Sequence, residues 1–226
     1  MRSLVVIAVC IAIAATTTAS ADPKTGRVVG KVLVTESDGK PAAGAEVIVY
    51  VLGFEEKGKT GKTVAKIEQT GRKFVPNLVA ITTGEAVEFP NNDPLTHNVF
   101  STSRAREFNL GEFKITETKS INFPHQGVVD VYCNIHSEMA ATILILPNTH
   151  HVPTAPDGAF VLASVPPGEW TVFAYTRRAT QPVSKKVKVT AGADVQVDFT
   201  ITRGVEPAHL NVHGEKYKDK GGGYPR

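Results

Sequence analysis

Apolar residues recur along this chain mostly at a spacing of two. Val32 and Val34 alternate with other positions in GRVVGKVLVTESDG, and Val47 and Val49 do the same in AEVIVYVLG. That period marks a strand with one face to bury. The pattern predicts strands at Val28–Val34 and Ala45–Tyr50, on either side of ESDGKPAAG, where Asp38-Gly39 and Pro41 are turn residues. Further strands are predicted at Thr63–Glu68, Leu78–Thr82, Ala86–Phe89, Asn98–Phe100, Lys119–Phe123, Val128–Cys133 and Ala141–Leu146. Phe160–Ala163, Trp170–Thr176, Lys185–Val189 and Val195–Thr202 complete the set. After the first 21 residues no stretch of ten or more holds a helical period, so the predicted fold class is all-β. Many short strands with frequent turns favour sandwiches or barrels.

The N-terminus breaks this pattern. Arg2 precedes an apolar run from Leu4 to Ala15, and Ala19-Ser20-Ala21 is a small-x-small site before Asp22. Residues 1–21 read as a cleaved signal peptide, which predicts a periplasmic or secreted protein. The run is too short to span a bilayer, and no later apolar run is long enough, so no integral span is expected after cleavage. A lipoprotein reading is disfavoured by the bulky Val9 before Cys10. Charge changes little: the formal net charge is +3, and cleavage removes one positive residue, Arg2. Nothing resembles a nucleic-acid-binding surface.

Cysteine usage does change the picture. Of the two cysteines, Cys10 lies in the signal peptide, which leaves Cys133 alone in an oxidising compartment. It cannot form an intramolecular disulfide. It is a partner for another chain, a liability or a ligand. Its neighbours favour the last, because VYCNIHSEM places Cys133, His136 and Met139 together just before the apolar run AATILIL. A copper centre that passes single electrons uses a soft thiolate, two imidazoles and often a weak axial thioether. The remaining imidazole should come from an earlier strand, and FPNNDPLTHNVFS supplies His97. The bland alternative is that Cys133 is a small buried hydrophobe, as free cysteines often are.

KFVPNLVAITTGEAVEFPNNDPLTHNVFS and VVDVYCNIHSEM together resemble the cupredoxins over about ninety residues. The resemblance implies one mononuclear type 1 copper site with His97 and His136 as imidazole ligands, Cys133 as thiolate and Met139 as axial ligand. It implies that Asn98 fixes the ligand loop and hydrogen-bonds near the sulfur. The C-x2-H-x2-M spacing is shorter than in plastocyanin and is similar to plastocyanin-like proteins of methylamine utilisation. The short loop leaves Glu138 open as an alternative donor should Met139 not reach. A binuclear centre would need a second ligand cysteine, which is absent.

The remaining strands carry a second resemblance. GRVVGKVLVTESDGKPAAGAEVIVYVLG, followed much later by TAPDGAFVLASVPPGEWTVFAYT and VSKKVKVTAGADVQVDFTI, is similar to a transthyretin-like, carboxypeptidase-regulatory sandwich. The expected architecture is a Greek-key cupredoxin domain over residues 57–146 inserted into that sandwich, built from 22–56 and 147–203. Two strands alone could not bury a core. Residues 204–226 are expected to be a flexible tail, with His209 and His213 on the surface. His125 is expected in a turn, and adjacent His150 and His151 point differently. No H-x-H pair occurs, so catalytic copper is not expected.

The expected function is one-electron transfer between periplasmic redox proteins, without substrate turnover. The resemblance implies a c-type cytochrome or a periplasmic dehydrogenase as partner. The alternatives are a periplasmic copper-delivery protein using the same ligands, which would exchange metal reversibly, and an extracellular β-sandwich binding protein with a vestigial site, which would bind none.

Overall fold

The computed structural model describes residues 24–56 and 61–217. The signal-peptide reading of residues 1–21, and the end of the expected tail at 218–226, lie outside the described residues. Among those described, the elements are all strands, and no helix is long and apolar enough to cross a membrane. In chain order they are β1 (Gly26–Glu36), β2 (Ile48–Leu52), β3 (Thr63–Lys66), β4 (Glu68–Thr70), β5 (Lys73–Val75), β6 (Leu78–Thr82), β7 (Ala86–Pro90), β8 (His97–Ser103) and β9 (Arg106–Phe113). There follow β10 (Thr118–Asn122), β11 (Gly127–Tyr132), β12 (Ala140–Leu146), β13 (His151–Pro153), β14 (Ala159–Val165), β15 (Gly168–Tyr175), β16 (Val183–Val189), β17 (Asp194–Gln196) and β18 (Phe199–Arg203).

Four sheets stack as layers, and the side chains between them explain the order. β1 pairs with β14 on one side and with β17 and β18 on the other. The facing sheet runs β13-β2-β15-β16. Val28, Val32, Val47, Val49, Val51, Leu162, Val172 and Ile201 fill the space between these two sheets. The third sheet runs β6-β12-β11-β8-β9, and the fourth runs β10-β7-β3. Ile67, Ile81, Val87, Phe89, Val99, Phe113, Val129 and Ile143 lie between those two, together with Cys133 and Met139.

A smaller apolar layer joins the halves. Ile48 of β2, Leu78 of β6, and Leu144 and Leu146 of β12 pack together, with Tyr50 and Tyr175 against them. This accounts for AATILIL. Alternation is lost because β12 is covered on both faces, and all seven of its residues are buried. Polar groups reinforce the joint: Leu78 N donates to Glu46 Oε2 at 2.7 Å, and Arg177 Nη1 to Ala140 O at 3.1 Å. The chain enters and leaves the third and fourth layers at one point, where Glu56 N donates to Pro147 O at 2.8 Å. Asn148 Nδ2 donates there to Val51 O and Phe54 O.

Several elements differ from the sequence pattern, each for a local reason. β9 escapes it because it is an edge strand whose only fully buried residue is Phe113. The predicted strand Val195–Thr202 is divided at Val197-Asp198, where Asp198 Oδ1 accepts from Lys31 N at 2.8 Å and stands in for a strand carbonyl. The short hairpin β4–β5 turns through Gly71 and Arg72, both at positive φ (59° and 56°), as a two-residue hairpin turn requires.

Residues 204–217, the described part of the expected tail, make contacts with the body of the protein. Arg177 Nη2 donates to Glu206 at 2.5 Å, the His209 ring stacks on Tyr132 with centroids 3.9 Å apart, and Val212 N donates to Asn134 Oδ1 at 2.9 Å. An aromatic ring and capped backbone donors give this segment a surface to lie on, which composition alone did not reveal.

Candidate metal centre

Three strands and one loop bring the predicted donors together. His97 opens β8, and its ring is fully buried. Cys133 follows β11 directly and is also fully buried. Between β11 and β12 the chain makes a compact turn, with Cys133 N donating to Met139 O and Met139 N to His136 O, both at 3.2 Å. His136 sits at the turn's outer edge and is part-exposed, whereas Met139 is fully buried in the same core as Cys133.

The donors converge. His97 Nδ1 and His136 Nδ1 are 3.1 Å apart, and Cys133 Sγ lies 3.9 Å and 3.8 Å from them. All three atoms fall within 4.8 Å of one another, the one such group of histidine, cysteine or acidic side chains found among the described residues. Two imidazole nitrogens and one soft sulfur in a largely buried pocket fit a copper ion. The backbone of Met139, hydrogen-bonded to both Cys133 and His136, keeps a thioether-bearing side chain beside them.

The electrostatics suit neutral nitrogen ligands. Burial lowers the His136 pKa, and the charges of His97 and Arg72 add to that. Burial pushes the Cys133 thiol above its ordinary value, while backbone N–H groups of Asn98, Ile135 and His136 pull the other way. Ile135 N approaches Cys133 Sγ at 3.4 Å. Asn98 therefore acts on the sulfur through its backbone. Its side chain turns away and donates to Asn109 Oδ1 at 2.9 Å.

Three residues around the centre were not singled out from the sequence. Asn91, fully buried, donates through Nδ2 to Leu95 O and Lys114 O and so shapes the loop that leads to His97. Asp93 Oδ2 lies 2.9 Å from His97 Nε2 and accepts from Arg72 N at 2.7 Å. The Arg72 guanidinium pairs with Glu138, two residues beyond His136, so the β4–β5 turn touches both ligand loops. The NND of FPNNDPLTH was the available signal for Asn91 and Asp93, but polar loop residues before a turn proline carry many roles.

The other histidines stay apart from the centre. His125 is exposed, and His150 Nε2 lies 3.3 Å from Glu56 Oε1. His209 and His213 lie in the docked C-terminal segment, and Tyr217 of that segment donates its hydroxyl to Cys133 O at 2.7 Å.

Comparison with known proteins bears on one stretch of the chain. Residues 61–146 match the copper binding proteins of the plastocyanin/azurin family. No curated protein matches the chain. Among solved structures, a purple cupredoxin from Nitrosopumilus maritimus is 20% identical, with a TM-score of 0.34, covering 37% of this chain and 100% of its own. A mutant of amicyanin in the Cu(I) form is 15% identical, with a TM-score of 0.35, covering 43% of this chain and 98% of its own. A Cu-containing nitrite reductase from Thermus scotoductus SA-01 is 21% identical, with a TM-score of 0.37, covering 43% of this chain and 25% of its own. The cluster of His97, Cys133 and His136 lies inside the stretch that matches this family of copper binding proteins, which supports a cupredoxin domain over residues 61–146.

Proposed function

We propose that this protein carries single electrons through one mononuclear type 1 copper site held by His97, Cys133, His136 and Met139. The observation that carries the reading is the convergence of the His97 and His136 Nδ1 atoms with Cys133 Sγ, all within 4.8 Å. When bound, copper supplies a one-electron couple between copper(II) and copper(I).

The chain's own residues supply the rest. Cys133 gives a soft sulfur, and the two histidines give nitrogens that suit both oxidation states. Met139 gives a weak thioether. The ligand turn is anchored by its own hydrogen bonds, by the Arg72–Glu138 pair and by the buried face of β12, so the donors keep their places as charge changes. His136 is the ligand that reaches the surface, and its exposed edge is the port for electrons. The reading assigns no substrate turnover to this chain.

The partner would be a periplasmic redox protein, such as a c-type cytochrome or a dehydrogenase, reached after export directed by residues 1–21. The C-x2-H-x2-M spacing supports a site of the methylamine-utilisation kind. Residues 22–56 and 147–203 would form a single transthyretin-like sandwich interrupted by 57–146, which the pairing of β1 with β14, β17 and β18 and the shared apolar layer support. Its role would be to carry and orient the copper domain.

The test is a spectrum of the purified protein loaded with copper(II). One copper per chain and an intense visible thiolate-to-copper band are expected. A protein that stays colourless with copper(II) bound would overturn the type 1 reading, and copper that exchanges freely during redox cycling would favour delivery over electron transfer.

A further inference from the structure

We propose that Asp93 is a positioning residue of the metal centre, fixing the His97 ring as the tautomer with a bare Nδ1 and biasing the centre toward copper(II). The inference rests on the copper reading above for its second half and on geometry alone for its first.

Asp93 and His97 are 1% and 0% exposed, so water does not compete for their contact. Asp93 Oδ2 faces two nitrogens: the Arg72 backbone N–H at 2.7 Å and His97 Nε2 at 2.9 Å. The backbone group can only donate, and as a carboxylate Oδ2 has no proton to give, so it accepts from both. A neutral imidazole has one N–H and one lone pair, so Nε2–H toward Asp93 leaves the lone pair on Nδ1. Nδ1 is the atom that faces His136 Nδ1 and Cys133 Sγ. The hydrogen bond therefore selects the ring form that can ligate.

Asp93 is itself held. Its backbone N donates to Asn91 Oδ1 at 3.1 Å, and Asn91 is fixed by carbonyls of the same loop and of Lys114. A carboxylate behind a ligating histidine raises the basicity of the ring. Its negative charge, buried where screening is weak, favours the more highly charged metal ion. Removing that charge should thus disfavour copper(II) more than copper(I).

The experiment compares the full chain with Asp93→Asn. The copper(II)/copper(I) potential should rise, by about 59 mV for a roughly tenfold loss of preference for copper(II), while the visible band persists. Nitrogen-15 spectra of the metal-free protein give a readout that needs no copper: the wild-type His97 ring should carry its proton on Nε2, and the variant should shift population toward Nδ1–H. A wild-type ring protonated on Nδ1 overturns the inference, including where the variant fails to fold. An unchanged potential and tautomer in Asp93→Asn overturns it while a visible band in the wild type leaves the copper reading standing. A wild type without the band sinks the copper reading, and the bias toward copper(II) with it.

Discussion

The Nδ1 atoms of His97 and His136 stand 3.1 Å apart, although one opens a strand, the other lies in the turn between β11 and β12, and 39 positions separate them in the chain. Cys133 Sγ closes the triangle. Replacing Cys133 with Ser should remove the visible band while the far-ultraviolet dichroism of the strands persists, since the hydroxyl is smaller than the thiol it replaces. A band that survives the substitution would mean that another donor makes the charge-transfer bond.

Met139→Leu tests the axial position. The side chain is fully buried, and leucine nearly conserves its volume, so the stability change should stay below about 1.5 kcal/mol. Copper should be retained and the potential should rise, because a weak donor to the oxidised ion is lost. A redox titration indistinguishable from wild type would remove Met139 from the ligand set.

The C-terminal segment should protect the thiol. Tyr217 caps Cys133 O, and His209 covers Tyr132. In the metal-free protein, His209→Ala with Tyr217→Phe should speed alkylation of Cys133 severalfold, since one hydrogen bond worth about 0.5–1.5 kcal/mol and one ring stack are lost. Equal labelling rates would show that the segment does not guard this flank.

Gly30 tests the packing of β1. A Cβ there would sit 1.8 Å from Val197 O and 2.7 Å from Val197 C, backbone atoms that cannot swing aside. Gly30→Ala should lower stability by about 1–3 kcal/mol in urea unfolding. The copper band should bleach at a midpoint closer to wild type than the loss of strand signal, because the strain falls in the other core.

Acid should weaken the protein partly through His151. Burial lowers its pKa, with the Glu85 charge acting to raise it and His150 to lower it. A histidine depressed in the folded state binds its proton more readily when unfolded. The stability it contributes is therefore present above the unfolded value, about 6.5, and fades as pH falls below that. His136 and His209 act with the same sign, and Glu46, raised by burial, acts with the opposite one at lower pH. His151→Gln should flatten the stability-against-pH curve between about pH 5 and about pH 7. A slope equal to wild type would assign the effect to the other histidines.

How much of this was legible in the sequence varies by element. The all-β class was, because alternation in β1, β2 and β15 follows directly from one-sided burial. The run AATILIL was legible as a strand but not as a strand covered on both faces, since its partners Ile48 and Leu78 are remote in the chain. Cys133, His136 and Met139 were readable because one short loop holds them and their chemistry is uncommon. Asp93 and Arg72 were not, because their roles arise only when a hairpin turn from elsewhere meets the His97 loop. The docking of His209 on Tyr132 was invisible for the same reason: a stack between distant rings leaves no periodic trace.

The hydrogen bond from Glu56 N to Pro147 O holds together the two points between which the strands β3–β12 are strung. β1 and β2 emerge first and have no partners until β13–β18 follow, so for that interval they are open edges at risk of mispairing. Closing a floppy loop of about 90 residues would cost roughly 4 kcal/mol of chain entropy. An already folded intervening unit, with its two ends a hydrogen bond apart, removes most of that search.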